Sequence, residues 1–126
     1  MSNIPAELKY VKSHEWVRVE GDVAIVGITD FAQSELGDVV YVDLPTAGRV
    51  LAAGDSFGSV ESVKTVSDIY APIGGEVVEA NDALGAQSDL VNTDPYGKGY
   101  LVKIRIANPA ELDELLTAEG YAALVS

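Results

Sequence analysis

Cysteine is absent from the 126 residues, and histidine occurs once, as His14. These two scarcities exclude disulfide staples, thiol nucleophiles, thiolate zinc sites and iron–sulfur clusters, and leave any histidine-based triad or metal site to a single imidazole. Any redox or acyl chemistry must therefore use a reactive group attached from outside. Basic residues are also few: 8 Lys and Arg against 20 Asp and Glu, a formal net charge of −12. A phosphate-binding surface needs clustered cations, so nucleic acid is not an expected partner, and adsorption to anionic membranes is disfavoured. The acidic balance suits basic docking faces or simple solubility. No stretch approaches eighteen consecutive apolar residues, and Met1 to Lys12 lacks the basic start and apolar run of a signal peptide. A cytoplasmic, prokaryotic location without a targeting segment is expected.

The chain does contain enough apolar residues for a core. The 48% hydrophobic and 22% charged fractions are globular values, and the length fits one domain over residues 1–126. Its dominant period is two. Trp16 to Glu20 and Val23 to Val26 flank the Gly21-Asp22 turn and read as a hairpin. Val39 to Leu44, Ser56 to Val63, Ile69 to Tyr70, Gly75 to Glu79 and Tyr100 to Ile106 read as further strands, separated by Gly and Pro. The expected class is mainly β: a small sandwich or flattened barrel, core about 8–107, with short helices and a C-terminal helical cover over 108–125. One helix should start at Thr29 and stop at Gly37. A second should start at the Asn108-Pro109 cap, with Glu111 reaching back, carry Leu112, Leu115 and Leu116 as one stripe, and break at Gly120. Gly37-Asp38-Val39-Val40 recurs as Gly75-Glu76-Val77-Val78, and Gly54-Asp55-Ser56-Phe57 loosely as Ser88-Asp89-Leu90-Val91, which suggests two similar halves joined by residues 61–74.

Lys64 lies in that link. The strand ending near Ser62 and the one resuming at Ile69 put it on or beside a hairpin tip, although Gly, Asn, Asp and Pro are missing from Val63 to Val66. The chain has only five lysines. A Schiff-base lysine wants a desolvated pocket, which an exposed tip flanked by Glu61 and Asp68 would not supply. A covalent attachment point suits it better.

Glu61-Ser62-Val63-Lys64, followed by Ser67-Asp68-Ile69-Tyr70-Ala71-Pro72 and Gly75-Glu76-Val77, resembles the lipoyl-attachment hairpin of the glycine cleavage system H proteins. His14-Glu15-Trp16-Val17, Val26-Gly27-Ile28-Thr29-Asp30 and Leu36-Gly37-Asp38-Val39-Val40 are similar to that family's N-terminal half. Leu90-Val91-Asn92, Asp94-Pro95-Tyr96-Gly97 and Ala118 to Leu124 are similar to the rest, so that the likeness spans about residues 8 to 125. Two positions depart from the pattern: Tyr100 stands where Trp is usual, and Thr65 where Ala usually follows the modified lysine.

The resemblance implies a lipoyl/biotinyl-type fold and lipoate held covalently on Lys64 as N6-lipoyllysine. It implies a non-catalytic, monomeric carrier with no metal. Such a carrier shuttles the aminomethyl group of glycine from the pyridoxal-phosphate-dependent glycine decarboxylase (P protein) to the tetrahydrofolate-dependent aminomethyltransferase (T protein). Dihydrolipoyl dehydrogenase (L protein) then reoxidises it, and a lipoate-attaching enzyme is the fourth partner. Ser13, Glu15, Glu61 and Asp68 are the residues it suggests for a cleft around the arm, holding a cationic amine by charge-assisted bonds. His14 is expected to be structural. The alternatives are an unmodified lipoyl-like acidic interaction module and a relay of lipoyl groups to other acceptor proteins. Biotin carriers typically flank their lysine with Met, and lipoyl domains of 2-oxoacid dehydrogenases with Asp and Ala. Val63 and Thr65 match neither.

Overall fold

The computed structural model of the chain describes residues 4–125. Its elements begin with β1 (Lys9–Tyr10), β2 (Glu15–Glu20), β3 (Val23–Ile28), α1 (Asp30–Leu36), β4 (Val39–Asp43), β5 (Val50–Leu51), β6 (Ser56–Ser62) and β7 (Val66–Tyr70). They continue with β8 (Gly75–Ala80), the one-turn helices α2 (Ala83–Ala86) and α3 (Leu90–Thr93), β9 (Val102–Ile106), a 3₁₀ helix (Pro109–Glu114) and α4 (Ala118–Val125). The strands form two antiparallel sheets, one ordered β1-β2-β3-β9-β8-β5 and the other β4-β6-β7. No helix among the described residues is long and apolar enough to cross a membrane.

The mainly β reading holds, with short helices and a C-terminal helix. The β2–β3 hairpin forms with Glu20 opposite Val23, and Gly21 supplies the positive φ of its turn, +67°. The run Val23 to Ile28 is apolar without a break because β3 is covered on both faces. Ala24, Val26 and Ile28 enter the main core with Val60, Ile69 and Val77. Ile25 joins Leu8, Tyr10, Trp16 and Tyr121 in a second cluster. Gly27 is required there: a Cβ would stand 2.7 Å from three atoms of the Trp16 ring, and Trp16 is itself fixed by its Nε1–H donating to the Pro95 carbonyl at 3.0 Å.

The C-terminal region departs from the sequence expectation. Helix 3₁₀ ends at Glu114; Leu115 is extended, and Leu116 pairs with Tyr10 through two backbone bonds of 2.9 and 2.8 Å. The break thus falls before Thr117, and Gly120 lies within α4. The physical reason is burial in two places: Leu115 packs on the main core and Leu116 on the second, and only extended backbone sends successive side chains to opposite sides. Asn108 does cap, accepting the Ala110 N–H, but Glu111 does not reach back. Its Oε1 accepts the Gly74 N–H at 2.9 Å, tying the segment to the main sheet. The Gly-acid-Val-Val echo begins β4 and β8, one in each sheet, whereas Ser88 to Val91 leads into α3 rather than a strand.

Candidate functional site

Lys64 sits at the tip of the β6–β7 hairpin, exposed, in the three-residue connection formed with Val63 and Thr65. Tight hairpin loops commonly use a residue with positive φ, yet His14 is the one non-glycine with positive φ among the described residues. The Ser62 side chain resolves this. Its Oγ accepts the Thr65 N–H at 3.1 Å and the Lys64 N–H at 3.3 Å and donates to the Thr65 carbonyl at 3.2 Å, beside a Ser62 N–H to Thr65 carbonyl bond of 2.8 Å. A hydroxyl closing a turn on its own backbone replaces the missing glycine.

A second brace comes from outside the hairpin. Val63 N–H donates to the Asp38 carbonyl at 3.0 Å. Asp38 follows Gly37, the C-terminal stop of α1 at φ +83°. Asn92 of α3 clamps this joint: it accepts the Val39 N–H at 2.8 Å and donates to the Gly37 carbonyl at 2.8 Å and the Gln33 side chain at 3.0 Å. The Lys64 stem runs past Gly37, where a Cβ would lie 3.5 Å from Lys64 Cε. Beside it opens a cleft of about 360 Å³ between α1 and β7. Ile28, Phe31 and Leu36 supply apolar wall, and Ser13, His14, Glu35 and Asp68 supply polar groups. A larger hollow of about 550 Å³, rimmed by Asp43, Glu79 and Asp82, lies between the end of β4 and α2, away from the lysine tip.

The sequence-derived site residues take distinct places. Ser13 and Asp68 line the cleft, both exposed. Glu15 lies behind Ser13, 1% exposed, accepting the Ser13 hydroxyl and the Tyr70 N–H. Burial pushes its carboxyl up from 4.5 to about 7, against the opposing pull of those hydrogen bonds. Glu61 is exposed on β6, cross-strand from Tyr41 and Val66, and is not part of the cleft lining. His14 lines the cleft with φ +76°, its ring 4.9 Å from Phe31. Sequence reasoning did not single out the bracing role of Ser62 or the clamp from Asn92. The first had a local signal, a hydroxyl residue three positions before Thr65; the second joins segments more than fifty residues apart.

A model of the glycine cleavage H-protein family matches residues 8–126. The chain belongs to the glycine cleavage H-protein family. Among curated relatives it is 58% identical to the "Glycine cleavage system H protein" of Bacteroides fragilis over 124 residues, covering 98% of both chains. It is also 58% identical to that of Symbiobacterium thermophilum over 123 residues, covering 98% of this chain and 96% of the relative. Among solved structures, the glycine cleavage system H protein of Mycobacterium marinum superposes with a TM-score of 0.88 at 43% identity, covering 95% of this chain and 97% of the other.

Proposed function

We propose that this chain is a lipoyl carrier of glycine cleavage, with lipoate in amide linkage on Lys64. The observation that carries the reading is Lys64 itself: exposed, on a loop braced by Ser62 and Asp38, at the mouth of a cleft of about 360 Å³. That cleft fits an acyl arm, since it combines the apolar wall of Phe31, Ile28 and Leu36 with hydroxyl and carboxylate groups. When bound, lipoate supplies the dithiolane for group transfer and redox exchange, chemistry that a chain without cysteine cannot perform. The carrier would pass the aminomethyl group of glycine from the decarboxylase to the aminomethyltransferase, and be reoxidised by dihydrolipoyl dehydrogenase.

The chain's own residues hold and protect. A cargo amine carries positive charge, and water would release it as formaldehyde and ammonium. Asp68 offers an exposed carboxylate at the cleft wall and Ser13 a hydroxyl. Glu15 sits behind Ser13 with its titration near neutral pH, so an approaching cation draws it into the charged form. The exclusion of water by the apolar wall strengthens each of these contacts.

The test is intact-mass spectrometry after coexpression with a lipoate-attaching enzyme and lipoate. A mass gain in the wild type that vanishes in Lys64→Arg is expected. No gain in the wild type overturns the carrier reading in favour of an unmodified acidic module, and a gain that survives Lys64→Arg overturns the site.

A further inference from the structure

A chain of hydroxyl groups runs from the cap of α1 to the wall of the cleft. Thr29, fully buried, accepts the Ala32 N–H at Oγ1 (3.1 Å), and the same oxygen lies 2.7 Å from the Tyr121 hydroxyl. Tyr121, on α4 and also fully buried, has its hydroxyl 2.7 Å from His14 Nδ1. Each hydroxyl has one proton to give, and counting settles the directions. The Tyr121 oxygen is the one acceptor Thr29 has for its proton among the described residues. Were Tyr121 to donate to Thr29, that buried proton would be orphaned, at the full desolvation cost of an unpaired donor. Thr29 therefore donates to Tyr121, and Tyr121 donates to His14 Nδ1. The imidazole is neutral and carries its proton on Nε2.

The backbone holds the ring in this register. His14 keeps a left-handed conformation, sustained by Thr29 N–H to His14 carbonyl (3.0 Å) and His14 N–H to Val11 carbonyl (2.9 Å). The charged and titratable groups around it are Glu35 from α1, Asp68 from β7, Tyr121 from α4 and Glu15 on its own segment. The carboxylates favour an imidazolium. Burial acts against them and lowers the His14 pKa, the larger effect. Protonation at Nδ1 would also turn the Tyr121 proton back and orphan that of Thr29.

We propose that Tyr121 is a positioning residue for the arm cleft: from the C-terminal helix it locks His14 in the neutral Nε2–H form, so that the cleft wall does not repel a cationic cargo. The proposal rests on the carrier reading for the cargo, but the lock itself needs no arm.

Long-range ¹H–¹⁵N spectra of the unmodified full chain test the lock. Wild type should show a protonated Nε2 and an unprotonated Nδ1. Tyr121→Phe, which keeps the ring that stacks on Tyr10 at 4.8 Å, should show mixed tautomers and a His14 titration moved up towards the ordinary value. Thr29→Ser, which keeps the hydroxyl, should retain the wild-type pattern. A wild-type Nδ1–H tautomer, or an unchanged spectrum and titration in Tyr121→Phe, would overturn the proposal. With the arm loaded, cargo loss in Tyr121→Phe should become about fivefold faster than wild type as pH falls through the His14 titration, the effect of one added like charge at close range. Identical pH profiles despite altered spectra would overturn the link to the cargo. Failure to load any arm would sink the carrier reading and leave the spectra to decide the lock.

Discussion

Glu15 places an acidic side chain almost entirely out of reach of water. A carboxyl with 1% exposure holds its proton to about pH 7 in the folded state and to about 4.5 in an ordinary setting. Between those values the folded state binds a proton that the unfolded state has lost, so stability falls as pH rises through the window. Glu15→Gln removes the ionisation while its amide oxygen still accepts the Tyr70 N–H. The variant should be more stable than wild type by up to about 3 kcal/mol at about pH 8, and no different at about pH 4, in urea titrations. Ser62 makes the complementary case. Ser62→Ala removes the oxygen that accepts the Lys64 and Thr65 N–H groups and should cost about 1–2 kcal/mol. Amide exchange at Lys64 and Thr65 should accelerate well beyond that at Ile69, which lies deeper in the hairpin.

At the scale of elements, the β2–β3 hairpin shows how tightly two strands constrain each other. Gly27→Ala would drive a methyl group into the Trp16 ring, 2.7 Å from three of its atoms. With that ring anchored on Pro95, the variant should lose about 1–3 kcal/mol and show altered Trp fluorescence. This hairpin was legible in the sequence because alternation and a Gly-Asp turn coincide. The β6–β7 hairpin was legible only in part, since Ser62 does by side chain what turn residues usually do by backbone. β1 and β5 have two residues each, and α2 and α3 four, too few to show any period. The cleft divides in the same way. Lys64, Ser13, Glu15 and Asp68 stand in short stretches that carry a family likeness. The His14–Tyr121 contact joins residues 107 positions apart, and nothing local announces it.

For the whole molecule the relevant quantity is the net charge of −12. Each of the proposed partners must find one small chain, react and release it. Long-range attraction to basic faces raises the encounter rate without adding buried contacts that would slow departure. Partner kcat/KM should therefore fall as ionic strength rises towards physiological values and the Debye length shortens to about 8 Å, while kcat stays nearly constant. Steady-state kinetics across a salt series would check this, and a kcat/KM insensitive to salt would assign the acidic surface to solubility alone.

The turn at Lys64, closed by a serine hydroxyl and fastened to Asp38, has a mechanical consequence. The backbone around Lys64 is thereby held on both sides of the tip. On the proposed carrier reading, movement of a group on Lys64 would rely on side-chain torsions, which interconvert in picoseconds to nanoseconds when exposed. A carrier of the proposed kind would then impose no clock of its own, and the timing of each hand-over would belong to the enzymes it visits.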